Sequence, residues 1–123
     1  AFIPLMNALN EKDHAALNAL RPELQSVSER FDATIESDDS KATLAPKGGD
    51  TSKSVIFHSK SSFLRISITS EELDEEDVKK VGGKPDATPL NIDIKRAKKE
   101  FGNYNFAAIG RLIASVFAEE QKE

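Results

Sequence analysis

The residues with the clearest chemical potential lie at Pro85-Asp86 and Asp93-Ile94-Lys95. Two carboxylates and an ammonium group at this spacing are the parts of a hard-cation site. Carboxylate oxygens suit Mg²⁺, the metal acidifies its bound water, and a lysine beside it orients the attacking oxygen. The supply of other catalytic types is thin. There is no cysteine, which excludes disulfides, thiol nucleophiles and thiolate metal sites. There are two histidines, His14 and His58, too few for a histidine-rich metal centre. No Gly-x-Ser-x-Gly elbow, Walker loop or dinucleotide fingerprint occurs, and Gly48-Gly49 and Gly82-Gly83 are simple loop pairs. The acidic run Glu71–Asp77 lacks the alternating ligands and central glycine of a calcium loop.

The Asp86, Asp93 and Lys95 set resembles the PD-(D/E)xK nuclease pattern over about eleven residues, and that resemblance implies metal-dependent cleavage of nucleic acid. It departs from the pattern in the short gap between Asp86 and Asp93 and in Thr88-Pro89 lying inside that gap. Ile94–Leu112 has the outline of a helix-turn-helix or Myb-like repeat. Its second helix offers Arg111 alone to read base edges, which is too little for the major groove.

Basic residues gather in two places. Lys53, Lys60 and Arg65 belong to one hairpin, while Lys95, Arg96, Lys98 and Lys99 form a run followed by Tyr104. Brought together, these eight would make a local patch for single-stranded nucleic acid, through charge and stacking. The chain as a whole is acidic: 17 basic against 21 acidic residues give a net charge of −4, which opposes general nucleic-acid binding.

The elements that must position these groups follow from periodicity. From a cap at Asn10, apolar residues at Leu17, Leu20, Leu24, Val27 and Phe31 advance by threes and fours along one helix face, and Pro22 predicts a kink or two short helices. Phe31–Glu36 alternates like a half-buried strand, and Ala42–Ala45 reads as a brief edge strand. Ser54–Ser59 and Ser62–Thr69 form the strongest hairpin. Ser70 caps an acidic-to-basic helix ending at Lys80, and Leu90–Ile94 reads as a short strand passing into a helix from about Asp93. Asn105 caps a last helix running to about Gln121.

The last helix is apolar nearly all round, with Arg111 and Ser115 its only polar side chains before Ala118. Such a helix must be covered on most sides. Its stripe of Ala107, Gly110, Ala114 and Ala118 admits a second backbone closely, so either the rest of the chain or a second subunit encloses it. The expected reading is a homodimer through Phe106, Ile109, Gly110, Ile113, Ala114 and Phe117.

The 123 residues fit one α+β domain: kinked N-terminal helices, an antiparallel sheet of three to five strands around the hairpin, and a long buried C-terminal helix. Residues 1–9 read as an extension, and 37–53 and 82–89 as flexible loops. The expected function is a non-enzymatic protein-interaction or assembly module, an adaptor, inhibitor or complex subunit, with no cofactor and no metal. Single-stranded nucleic-acid binding is the alternative and a metal-dependent nuclease the remote one. A cytoplasmic location is expected from the lack of cysteine and of an apolar run long enough to span a membrane.

Overall fold

A computed structural model describes residues 13–36, 40–47, 53–70, 73–83, 89–95 and 104–117. Among them are three α-helices: α1 (His14–Ser26), α2 (Glu75–Lys80) and α3 (Phe106–Phe117). Five strands, β1 (Phe31–Glu36), β2 (Lys41–Pro46), β3 (Ser54–Ser59), β4 (Phe63–Thr69) and β5 (Leu90–Lys95), form one antiparallel sheet in simple order β1-β2-β3-β4-β5. The α+β class and the central hairpin are as the sequence predicts.

Period-two alternation decides which side of the sheet is covered. Ala42 and Leu44, Val55 and Phe57, and Leu64, Ile66 and Ile68 are fully buried on one side, continued by Leu90, Ile92 and Ile94 on β5. Fully burying a side chain of this kind contributes about 1.5–3 kcal/mol. Helix α1 brings Leu17, Leu20 and Leu24 to the same core, and α3 brings Ile109, Leu112, Ile113, Val116 and Phe117. The other side carries Asp32, Thr34, Glu36, Lys41, Thr43, Ile56, His58, Arg65, Asn91, Asp93 and Lys95, all exposed or half-buried.

Several expectations are corrected. Helix α1 runs unbroken through Pro22, rather than as two short helices. The carbonyl that Pro22 cannot serve is that of Asn18, and both residues are exposed, so solvent can satisfy it. The helical series stops short of Phe31, which opens β1 with the bounds Phe31–Glu36 that the alternation predicts. The segment Lys41–Pro46 is an interior strand, not a brief edge, because β1 and β3 pair with it on both sides. Finally, α2 is capped by Asp74, whose carboxylate accepts the amides of Glu76 (2.8 Å) and Asp77 (3.4 Å), so the helix starts later than a Ser70 cap would set it.

Helix α2 ends at Lys80, as the sequence predicts. Gly82 has a positive φ of 79°, and the Gly82 and Gly83 amides return to the carbonyls of Lys79 and Val78. β5 continues as a strand through Lys95, so no helix begins at Asp93. Asn105 caps α3 by accepting the Ala108 amide at 3.0 Å. The Asn10 cap and the extension of α3 to Gln121 lie outside the described residues.

Candidate functional site

The nuclease-like set does not assemble. Asp93 and Lys95 lie two apart on the open side of β5, and Asp86 lies outside the described residues. Arg65 forks onto Asp93, donating from Nε to Oδ1 (2.8 Å) and from Nη2 to Oδ2 (3.2 Å), so both carboxylate oxygens are engaged. That pairing raises the Arg65 pKa further, the hydrogen bonds to Asp93 first. No group of three metal-ligating side chains occurs among the described residues.

The basic candidates divide. Lys60, Arg65 and Lys95 gather at the hairpin end of the sheet, where Phe63 pairs with Lys95 and the Arg65 guanidinium lies 5.3 Å over the Phe63 ring. Lys53 precedes the other end of β3, about 20 Å away along the strand. Arg96, Lys98 and Lys99 lie outside the described residues. Tyr104 is half-buried: its ring packs 6.2 Å from that of Phe106, and its hydroxyl accepts the Lys95 backbone amide at 2.9 Å. One row crosses all five strands as Glu36, Lys41, His58, Arg65 and Asp93. Its ends are ion pairs, Glu36 with Lys41 (3.8 Å) and Arg65 with Asp93 (2.8 Å), so most of its charge is internally compensated.

Helix α3 is covered by its own chain. Ile109, Ile113 and Phe117 are at most 3% exposed, and Gly110 is buried where α3 meets α1. A methyl group on Gly110 would meet the Glu23 side chain of α1 at 2.6 Å. Phe106 and Ala114 are half-buried. The close approach predicted for the small-residue stripe is therefore made at Gly110 by α1, and the burial of α3 needs no second subunit. Arg111 projects from its polar stripe to α2, where Asp77 receives Nη2 at 2.8 Å and Nε at 3.1 Å. Those hydrogen bonds hold the Asp77 carboxyl below its ordinary range, against the burial that pushes it up.

A cleft of about 240 Å³ opens between the end of α2, β5 and the start of α3, lined by Lys80, Gly82, Ile92, Tyr104, Asn105 and Ile109. Among the described residues that line it, Lys80 supplies the one charged group.

Among the described residues, backbone groups that meet no neighbouring strand line the other sheet edge. The Arg30 carbonyl accepts the Lys47 amide of the β2 side at 2.9 Å, and Phe31 stands opposite Pro46, which has no amide to offer. In an antiparallel ladder the bonded residues alternate. The even-numbered residues of β1 therefore bond to β2, and Phe31, Ala33 and Ile35 turn their N–H and C=O groups outward. On the covered side, Ala33 is exposed, and Ile35 is half-buried at the margin of the core it packs against. Only Phe31 is buried there, with its ring 4.9 Å from Phe117. The edge at β5 differs, since the Tyr104 hydroxyl occupies its Lys95 amide. The alternation of Phe31–Glu36 signalled this strand in the sequence; its edge position depends on pairings the sequence does not display.

Comparison with protein-family models, with curated proteins and with solved structures returns no match. No helix among the described residues is long and apolar enough to cross a membrane.

Proposed function

We propose that this chain is a non-enzymatic protein-interaction module, an adaptor, inhibitor or complex subunit, and that it binds through the free edge of its sheet rather than through α3. The observation that carries this reading is β1: six residues long, with outward backbone groups and with Ala33 and Ile35 incompletely covered. An exposed edge of this kind accepts another strand, main-chain hydrogen bonds supplying affinity and alternate side chains specificity. Proline, lysine and bulges, the usual protections, are absent from β1.

Paired affinity capture tests it, with the parent and Ala33→Pro as baits. The Ala33 amide makes no bond to β2, so proline there costs the ladder nothing within the chain. Proteins held by the parent and lost from folded Ala33→Pro support the reading. Equal capture by both contradicts it.

A second reading has one observation in its favour, the grouping of Lys60, Arg65 and Lys95 around Phe63. As a single-strand binder, the protein would hold a short oligonucleotide with an affinity that falls steeply with salt, and Lys60→Glu with Lys95→Glu would abolish binding. Unchanged binding by that double variant would dismiss the patch.

A further inference from the structure

Resting on the edge reading above, we infer that the strand received by β1 is β1 of a second copy, paired antiparallel about a two-fold axis at Ala33. Two-fold pairing fixes which residues meet, because the numbers of opposed residues must sum to a constant. Opposed residues must also share a face of the sheet, so that sum must be even. A sum of 64 sets Asp32 against Asp32 of the second copy, and 68 sets Asp32 against Glu36. Like charges directly opposed are destabilising.

A sum of 66 has no such conflict. It places Ala33 opposite Ala33, Phe31 opposite Ile35, Asp32 opposite Thr34, and Arg30 opposite Glu36, each pair occurring twice by symmetry. Arg30, which closes the 3-10 turn Ser28–Arg30 just ahead of β1, and Glu36, which also faces Lys41 of its own chain at 3.8 Å, are both exposed, and they bracket the strand with opposite charge. Phe31, Ala33 and Ile35 are also the residues whose backbone groups face outward, so their pairs exchange two hydrogen bonds each. Arg30 with Glu36 and Asp32 with Thr34 become the non-hydrogen-bonded pairs, whose side chains stand closer. Ile35, half-buried and already packed against its own core, gains the Phe31 and Phe117 pair of the second copy on its remaining exposed side.

The result is a continuous ten-stranded sheet, twice the five of one chain, with both helical layers on one side. One pair of six-residue strands is a small interface, so the expected dissociation constant is micromolar, about 10 μM.

Light-scattering mass over a concentration series tests this, with melting curves to confirm that each variant folds. The parent should pass from monomer to dimer. Ala33→Pro and Glu36→Arg should each weaken association at least about tenfold, and Arg30→Glu combined with Glu36→Arg should restore it. The restored pairing is peculiar to this register, and it keeps the test decisive should Ala33→Pro fail to fold. A dimer indifferent to these changes, or a double variant no better than Glu36→Arg alone, overturns the inference. So does a monomer at every concentration, and in that case capture that still depends on β1 would leave the interaction reading intact.

Discussion

Asp77 and Arg111 illustrate how charged residues without a chemical role in the sequence gain a structural one in the fold. In the sequence Arg111 is an isolated cation on an apolar helix, and Asp77 is one of six acids within Glu71–Asp77. In the fold they make a two-pronged pair that ties α2 to α3. Because the folded Asp77 carboxyl ionises below its ordinary value, the pair stabilises the fold above about pH 4, and that stabilisation is lost as pH falls through the depressed value. Asp77→Asn should therefore melt at a lower temperature than the parent at pH 7, with the gap closing in acid. A gap constant down to pH 3 would show that the charge is irrelevant. Gly83 makes a second residue-scale case. A methyl group there would run into the Leu90 side chain and crowd Val78, so Gly83→Ala should cost about 1–3 kcal/mol in denaturant unfolding. At Gly82 nothing lies within reach of a methyl group, and only the positive φ opposes substitution, at about 1 kcal/mol.

At the scale of elements, local signals were legible where they act locally. Asn105 reads as a cap and is one, so Asn105→Ala should cost about 1 kcal/mol of thermal stability. The Ser54–Thr69 hairpin and the Gly82-Gly83 stop were equally plain, because alternation and turn chemistry need no tertiary context. Errors arose where an element's meaning depends on its neighbours. Asp74 outcompetes Ser70 as a cap because its carboxylate reaches two amides. Leu90–Lys95 satisfies strand and helix spacing alike, and pairing with β4 decides for the strand. The composition of α3 states that it is covered and is silent on what covers it. Gly110 settles part of that question, since its neighbours are Cγ, Cδ and Oε2 of the Glu23 side chain, which a methyl group would force to move from Cγ outward. Gly110→Ala should accordingly destabilise by about 1 kcal/mol, overpacking against Glu23 outweighing the gain in helix propensity. Gly110→Leu should destabilise by overpacking α1 against α3, which chemical unfolding of both variants would show.

For the whole molecule, the fold class was readable from the sequence and the proposed binding edge was not. Composition and periodicity carry the layers, helices on one side of an antiparallel sheet. Which strand stands at the edge is a property of pairings between distant segments, and Ala42–Ala45 was the natural candidate until β1 was seen outside it. With α3 enclosed and the charge row across the sheet compensated, β1 is what remains open among the described residues. The most direct measurement is residue-resolved amide exchange across a concentration series. If β1 receives a second β1, the Phe31, Ala33 and Ile35 amides exchange rapidly in dilute protein and slow together as concentration rises, while interior amides such as that of Phe57 stay protected throughout. Rapid exchange of those three amides at every concentration would contradict the pairing.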